Sequence, residues 1–377
     1  MKLELFKAGH RIQRYQYKSF EPVRINEEWT WDDPVVSALL ERAARSLGEL
    51  NAFSLIVPDV DLFIEMHVAK EAQTSSRIEG TQTGMDEILL PEEQIQPEKR
   101  NDWREVLNYI DAINAAIITL DKLPLSNRLI KETHSLLMQG VRGEKKAPGE
   151  FRISQNWIGG TGLTDAAFIP PHPDGVPDLM GDLESFWHNG NITTPHLIRA
   201  AISHYQFETI HPFLDGNGRI GRLFIPLYLM SNGLLAKPSL YLSDFFERNR
   251  GSYYDALTRV RESNDLLHWI KFFLTGIEET AIKGRRVFIE ILKLRASAEG
   301  KIFMMGKRSA AAKTLLDKLF RHPIIRVSDV EELLSMSTPS SNALIKAFCE
   351  ANMLKEMTNR MRKRIFVFEQ YLDLFVK

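Results

Sequence analysis

The segment His211-Pro-Phe-Leu-Asp-Gly-Asn-Gly-Arg-Ile-Gly-Arg222 constrains this 377-residue chain more than any other. Residues 195–208 ahead of it read as helix. Residues 217–233 behind it are apolar at helical spacing, with Ile220, Leu223, Phe224, Leu227, Leu229 and Met230 on the pattern. The turn Asp215-Gly216-Asn217-Gly218 between them does not continue a helix comfortably. Its glycines permit positive φ and let backbone N–H groups converge on an anion. A helix that opens at Asn217 aims free N–H groups and its positive dipole end at that same anion.

Arg219 and Arg222 lie three residues apart and so share a helix face. Two guanidiniums on a first helical turn repel each other and the dipole. They need a polyanion, or a resident carboxylate, between them. Asp215 is a hard oxygen ligand suited to Mg²⁺, which takes one or two carboxylates plus phosphates. His211 precedes the loop and can remove a proton near neutral pH. Phe213 reads as an anchor to the core. Upstream, Thr74-Ser-Ser-Arg-Ile-Glu-Gly80 reads as a helix end stopped by Gly80. Ser75 and Glu79 fall on one face. A carboxylate in a last turn opposes the dipole by a few tenths to about 1 kcal/mol. Glu79 therefore calls for a cation from elsewhere, and Arg222 has one to offer. Phe151–Gly160 and Ala167–Pro171 read as a short hairpin, with an edge open to strand addition.

Residues 211–222 resemble the Fic family signature, H-P-F-x-[DE]-G-N-G-R-x-x-R, at every specified position. The resemblance implies a mainly α Fic fold that transfers AMP from ATP to a Ser, Thr or Tyr hydroxyl of a target protein and releases pyrophosphate. It implies that His211 deprotonates the hydroxyl and that Asp215 holds Mg²⁺ or Mn²⁺. It places Gly216, Asn217 and Gly218 on the inner phosphates and Arg219 and Arg222 on the outer ones, with Ile220 and Gly221 in the same binding turn. Related Doc-type kinases carry lysine where this chain has Gly218, which leaves room for distal phosphates. Ser75–Gly80 resembles the family's inhibitory motif, [ST]-x-x-x-E-[GN], whose glutamate pairs with the second arginine. The hairpin resembles the Fic flap, which docks the target protein and brings Ile158, Gly159 and Gly160 to the nucleotide. The same likeness puts Tyr253, Tyr254 and Asn264 near the adenine. It also implies self-modification and pairing into homodimers. AMP removal at the same site, with Glu79 aligning a water, is the enzymatic alternative.

Composition adds exclusions. Lysine plus arginine (48) nearly equals aspartate plus glutamate (49), so the chain as a whole has no electrostatic commitment to nucleic acid or membrane. One cysteine, Cys349, excludes an internal disulfide framework and fits a reducing compartment. No signal-like run opens the sequence and no eighteen-residue apolar run follows, so the expected location is cytoplasmic. Residues 1–30 read as extended or irregular. Helical patterns follow at 33–51, 58–79, 100–120 and 126–140, with Ser126 as an N-cap, and again at 177–188. The expected organisation is an N-terminal helical region (1–125) carrying the inhibitory helix, a Fic core (126–275), a linker helix (276–300) and a C-terminal domain (301–377). A long helix at 266–298 is expected to be interrupted at Gly276 and Gly284.

Residues 301–377 hold fourteen Lys/Arg against eight Asp/Glu. Helical patterns at 310–320, 327–335 and 339–351 precede strand patterns at 354–358 and 364–368, with Ser328 starting the second helix and a Thr338-Pro339 cap starting the third. This order resembles a winged helix-turn-helix, with Arg360, Arg362, Lys363 and Arg364 as a basic wing. The third helix carries only Lys346 as a base. The module therefore reads either as a DNA binder or as a protein-interaction unit, and a DNA-binding regulator with a nucleotide-sensing core is the non-enzymatic alternative.

Overall fold

The computed structural model describes all residues except 58, 142–143, 359–363 and 377. The architecture is mainly helical. A hairpin, β1 (Gly9–Gln13) and β2 (Lys18–Pro22), is followed by α1 (Pro34–Ile56), α2 (Asp61–Ile78), α3 (Met85–Ile88), α4 (Arg100–Leu120) and α5 (Asn127–Leu137). Then come α6 (Val176–His188), α7 (His196–Ile210), α8 (Asn217–Ser231), α9 (Ser243–Arg248), α10 (Arg250–Ser263) and α11 (Leu266–Phe303). The last part holds α12 (Ser309–Arg321), β3 (Ile324–Arg326), α13 (Val327–Leu334), α14 (Thr338–Glu350), β4 (Lys355–Glu356), β5 (Ile365–Val367) and α15 (Glu369–Val376).

Local chemistry starts the helices. Asp33 Oδ1 accepts from the N–H groups of Val35 (2.8 Å) and Val36 (3.3 Å), with Pro34 in the first turn of α1. Ser126 Oγ accepts from Leu129 N–H at the start of α5, as its sequence position predicts. Helix α7 is buried along nearly its whole length, its polar residues included. It runs into the 211–218 loop, and α8 leaves that loop beneath it.

Helix α11 runs unbroken through Gly276 and Gly284, against expectation. Both glycines are there for close packing. A Cβ at Gly276 would sit 2.7 Å from the Phe245 ring, and one at Gly284 would meet Leu50 tightly, at 3.3 Å. The N-terminal stretch is extended in part, as one of the two expected forms, with β1 and β2 pairing antiparallel from Gly9↔Pro22 to Gln13↔Lys18. β1 is mostly exposed and β2 buries Ser19, Phe20 and Pro22, so neither strand alternates cleanly.

In the last part, β5 pairs antiparallel with β3 on one side and β4 on the other. Strand β3 is only three residues long, too short for a periodic signal. Ser337, not Thr338, occupies the N-cap position of α14, and its side chain makes no capping bond. Ser328 lies one residue inside α13, whose entry is fastened instead by Asp329 accepting from Arg326 N–H (2.8 Å). Arg360, Arg362 and Lys363 lie outside the described residues. Arg364 donates to Asn342 Oδ1 (2.5 Å) and faces Glu356. Tyr371 and Phe375 of α15 fold back on Phe320 and on the His67 ring of α2. No helix among the described residues is long and apolar enough to cross a membrane.

Candidate active site

The α7–α8 loop is held by a dense set of bonds. His211 closes α7 in the left-handed region (φ 50°), and Gly216 enters α8 there too (φ 76°). A non-glycine residue in that region is strained and persists where its surroundings fix it. Arg152 donates from Nε to the His211 carbonyl (2.9 Å) and from Nη2 to the carbonyls of Pro171 (2.6 Å) and Ile210 (3.2 Å). Asn156 Nδ2 donates to the carbonyls of His211 (3.1 Å) and Phe213 (2.8 Å). The Asn217 side chain accepts from Phe213 N–H and donates back to the Phe213 carbonyl, both at 2.8 Å. Its amide is therefore committed to the loop, and what it offers the cavity is backbone.

His134 fastens the other side. Its Nδ1 accepts from Gly149 N–H (2.8 Å), which leaves the proton on Nε2 to donate to the Asp215 carbonyl (3.0 Å). The ring stacks on Phe213 with centroids 3.8 Å apart, and burial pushes its pKa down to about 4, so this tautomer is kept. No short motif announces His134. It lies on α5, far along the chain from the loop.

The loop walls a cavity of about 720 Å³. His211, Leu214, Asp215 and residues 216–218 line it, together with Glu79 and Arg222. Tyr253, Tyr254 and Leu257 of α10 and Ile158, Gly159 and Phe168 line it as well. Tyr253 is buried, with its hydroxyl on His204 Nε2 (2.9 Å), whereas Tyr254 is 41% exposed.

Other expected residues lie elsewhere. Ile220 is in the core, and Gly221 packs against Glu208 where a Cβ would overlap Oε1. Gly160 turns the loop tip against Asp165, away from the cavity lining. Asn264 ends α10 in the left-handed region, and its Oδ1 accepts from Ala8 N–H (2.8 Å), tethering the N-terminal segment instead of facing the cavity. The expected hairpin is a single bridge, in which Ile158 and Phe168 exchange both N–H···O bonds (2.9 and 3.1 Å). Longer pairing is blocked by positive φ at Gly159 and Gly160 and by Pro170 and Pro171, which lack N–H groups.

The two arginines diverge. Arg219 turns inward, with Nη1 3.3 Å from Glu105 Oε2, and leaves the cavity lining. Arg222, its side chain 1% exposed, reaches α2. Its Nη2 donates to Glu79 Oε1 (2.6 Å) and to the Ser75 carbonyl (2.9 Å), and its Nε donates to Ser75 Oγ (2.9 Å). Each guanidinium thus has its own carboxylate, and Glu105 is the one the local sequence does not announce. Burial works against ionising Glu79, but Arg222 outweighs it and lowers its pKa. A Cβ at Gly218 would overlap Glu79 Oε1 and lie 2.9 Å from Arg222 Nη1, so a side chain there would displace this pair. Gly80 follows at φ 105°, ending α2 as its sequence predicts.

Burial, then the guanidiniums of Arg261 and Arg152, pull the His211 pKa down to about 3, against the Glu208 carbonyl and the Glu79 carboxylate. The imidazole is therefore neutral and able to accept a proton. Glu208, one turn before His211, is 6% exposed, and burial raises its pKa to about 7. Arg261 donates to the Glu208 carbonyl (3.0 Å), and Arg250 donates to the Ile78 carbonyl (2.7 Å) at the end of α2. Sequence reasoning missed all three. The three-residue spacing from Glu208 to His211 on one helix was the available signal for the first.

Residues 37–118 match the Fic/DOC family N-terminal description, and residues 124–229 match the Fic/DOC family. A protein adenylyltransferase Fic of Drosophila erecta is 32% identical over 169 residues, covering 45% of this chain and 30% of that protein. Its counterpart in Aedes aegypti is 34% identical over 133 residues, 35% of this chain and 24% of that one. This chain thus spans under a third of the length of these curated relatives. Among solved structures, a Fic family protein of Desulfovibrio desulfuricans G20 superposes with a TM-score of 0.57 at 19% identity, covering 91% of this chain and 98% of its own. Fic-1 of C. elegans (residues 134–508) gives 0.52 at 21% identity, covering 70% and 75%. These likenesses bear on the fold.

Proposed function

With a Fic/DOC N-terminal region followed by a Fic/DOC region, this chain belongs to the Fic/DOC family, and from that premise we propose that it is an autoinhibited protein adenylyltransferase. It transfers AMP from ATP to a hydroxyl side chain of a target protein. The observation that carries the reading is one cavity walled by His211, Asp215, the 216–218 turn and the Glu79–Arg222 pair.

The chemistry follows from that wall. The N–H groups at the start of α8 cradle the phosphates of ATP, and α10 supplies an aromatic wall for the base. His211 takes the proton from the target hydroxyl as its oxygen attacks the α-phosphorus. The new O–P bond forms as the bond to the β-phosphate oxygen breaks, and pyrophosphate leaves. Asp215 lines the cavity half exposed, with Arg219 Nη2 3.8 Å away, and no group of three or more His, Cys, Asp or Glu that could hold a metal occurs among the described residues. One carboxylate fits Mg²⁺ or Mn²⁺ that shares its remaining positions with phosphates and water. Bound there, the ion would supply charge neutralisation, and Asp215 would hold it. Trp157, 41% exposed, lines the cavity and offers an apolar contact for the target.

Glu79 restrains the reaction by occupying Arg222 and the space beside Gly218, where the distal phosphate would lie. A second reading, AMP removal, is favoured by one observation: the Glu79 carboxylate, ionised beside Arg222, also borders the cavity and could align a water. The two separate cleanly, because transfer rises and removal falls when Glu79 is lost.

The test is incorporation of label from α-labelled and γ-labelled ATP by the wild type and His211→Ala. Label from the α position alone, absent in His211→Ala, is the expected result. Label from the γ position would make the protein a kinase instead.

A further inference from the structure

The N-terminal hairpin is bonded to the segments that border His211. Phe20 N–H of β2 donates to the Ile169 carbonyl (2.9 Å), and Tyr17 OH donates to Gln155 Oε1 (3.3 Å). Phe168 pairs in turn with Ile158, and its ring meets that of Phe20 with centroids 5.6 Å apart. β1, β2 and the segments at 158 and 168 thus form one connected surface. Arg11 stands opposite Phe20 in the β1–β2 register, and directly opposed residues of an antiparallel pair share a face. It lines the cavity of about 720 Å³ together with His211, Ile158 and Phe168. Arg11 is exposed, and its side chain makes no hydrogen bond or ion pair among the described residues.

Positive charge around this surface is uncompensated. Arg219 and Arg222 each have a carboxylate, whereas Arg11, Arg152 and Arg261 have none within 4 Å among the described residues. Arg261 sets its guanidinium 4.1 Å from the Phe168 ring centre and donates to the Glu208 carbonyl (3.0 Å) and Thr209 Oγ1 (3.2 Å). Buried Arg152 donates to carbonyls alone. Glu262 also lines the cavity, but one carboxylate does not balance three guanidiniums. An anion that enters beside His211 therefore gains from all three. The distal phosphates of ATP are placed elsewhere, at Arg222. Arg250, bonded to the Ile78 carbonyl at that end, and Arg261 both lie on α10, about 16 Å apart along the helix axis. Arg11 is left for a different anion.

We propose that Arg11 selects the target protein, pairing with an aspartate or glutamate that flanks the hydroxyl to be modified. A segment that brings its hydroxyl to His211 meets Arg11 as well, because both line one cavity. A planar guanidinium binds a carboxylate through two parallel hydrogen bonds, so the pair fixes orientation as well as charge. Arg11 touches no reacting atom in this role and acts on which target is accepted. The role rests on the adenylyltransferase reading, since the target hydroxyl is what carries the carboxylate to Arg11.

The probe is a set of synthetic peptides with a central Tyr, Ser or Thr and a single Asp, Glu, Lys or Ala at each neighbouring position in turn. Binding to the full chain carrying His211→Ala, with ATP present, is read by fluorescence anisotropy. AMP incorporation from α-labelled ATP is read with Glu79→Gly. At one position an acidic neighbour should bind about tenfold more tightly than lysine, the worth of one hydrogen bond to a charge. Arg11→Glu should invert that preference, and Arg11→Lys should keep its sign, which a merely structural role would not produce. Arg11→Gln, which should abolish the preference without inverting it, serves where the charge reversal does not fold. In turnover the same substitutions should act on KM for the peptide and not on KM for ATP. No binding by any peptide, equal binding of acidic and basic peptides, a preference that survives Arg11→Glu, or a change confined to KM for ATP would each overturn the assignment. Peptides that bind with an Arg11-dependent acidic preference yet never take up label would refute the adenylyltransferase reading and still support Arg11 as the selecting residue.

Discussion

The 211–218 loop and the last turn of α2 both supply charge to one cavity, yet they are held in opposite ways. The loop is tied down by Arg152, Asn156, Asn217 and His134, with Phe213 fully buried at its centre. The last turn of α2 is bonded to Arg222 and Arg250 with Ser75, Ser76 and Ile78 buried, but its final residues, Glu79 and Gly80, are exposed. Strained backbone in the loop is fixed from several sides, which suits groups that must meet a reacting atom in one geometry. An exposed end such as Glu79, held through its bond to Arg222, opens at lower cost than the tied loop, which suits an element that has to leave. The difference teaches that the catalytic and restraining parts of one site can be told apart by how many independent bonds hold each.

Substitutions should split along that line. His211→Ala, which removes the base, is expected to lower AMP incorporation by about 10²–10⁴-fold. Glu79→Gly is expected to raise it, by up to about 100-fold if the docked state leaves roughly 1% active. Both are read as initial rates with α-labelled ATP. Loop anchors should behave like the base and not like Glu79: Asn217→Ala leaves the buried Phe213 N–H unpaired and removes one of the two bonds to the Phe213 carbonyl, and should cost about 1–3 kcal/mol of stability, together with activity. A rate increase in that variant would break the comparison. Arg250→Ala should give a smaller gain than Glu79→Gly, about fivefold for one hydrogen bond of about 1 kcal/mol, and no further gain when combined with it.

The smallest expected effect concerns pH. The folded-state pKa of Glu208, about 7, lies above its ordinary value of 4.5. The folded protein thus holds this proton more tightly, and the associated stability is complete below pH 4.5 and lost as pH rises through 7. Glu208→Gln keeps the site neutral, so its Tm relative to wild type should be higher at pH 8 than at pH 5, by about 2 °C or more. An equal difference at both pH values would show that Glu208 ionises freely.

Much of the site was legible because its signals are local. The Gly216–Gly218 turn, the helix starting at Asn217 and the need of Glu79 for a distant cation are short-range or electrostatic statements, and Arg222 meets that need. The bounds of α4, 100–120, follow from a long amphipathic pattern. What was not legible depends on tertiary partners. Arg219 and Arg222 share a face by spacing alone, but Glu105 on α4 draws the first inward. Asn264 finds the Ala8 N–H, 256 residues away. Gly276 and Gly284 read as breaks, yet Phe245 and Leu50 occupy the space a side chain would take.

The most direct test is the AMP incorporation rate of Glu79→Gly against wild type at matched, sub-saturating ATP. If the Glu79–Arg222 contact restrains transfer, the variant will be faster by one to two orders of magnitude, about 1.4–2.7 kcal/mol, with the gap narrowing but not closing as ATP rises. Equal rates at low ATP, or a slower variant, would contradict the claim that Glu79 restrains this site.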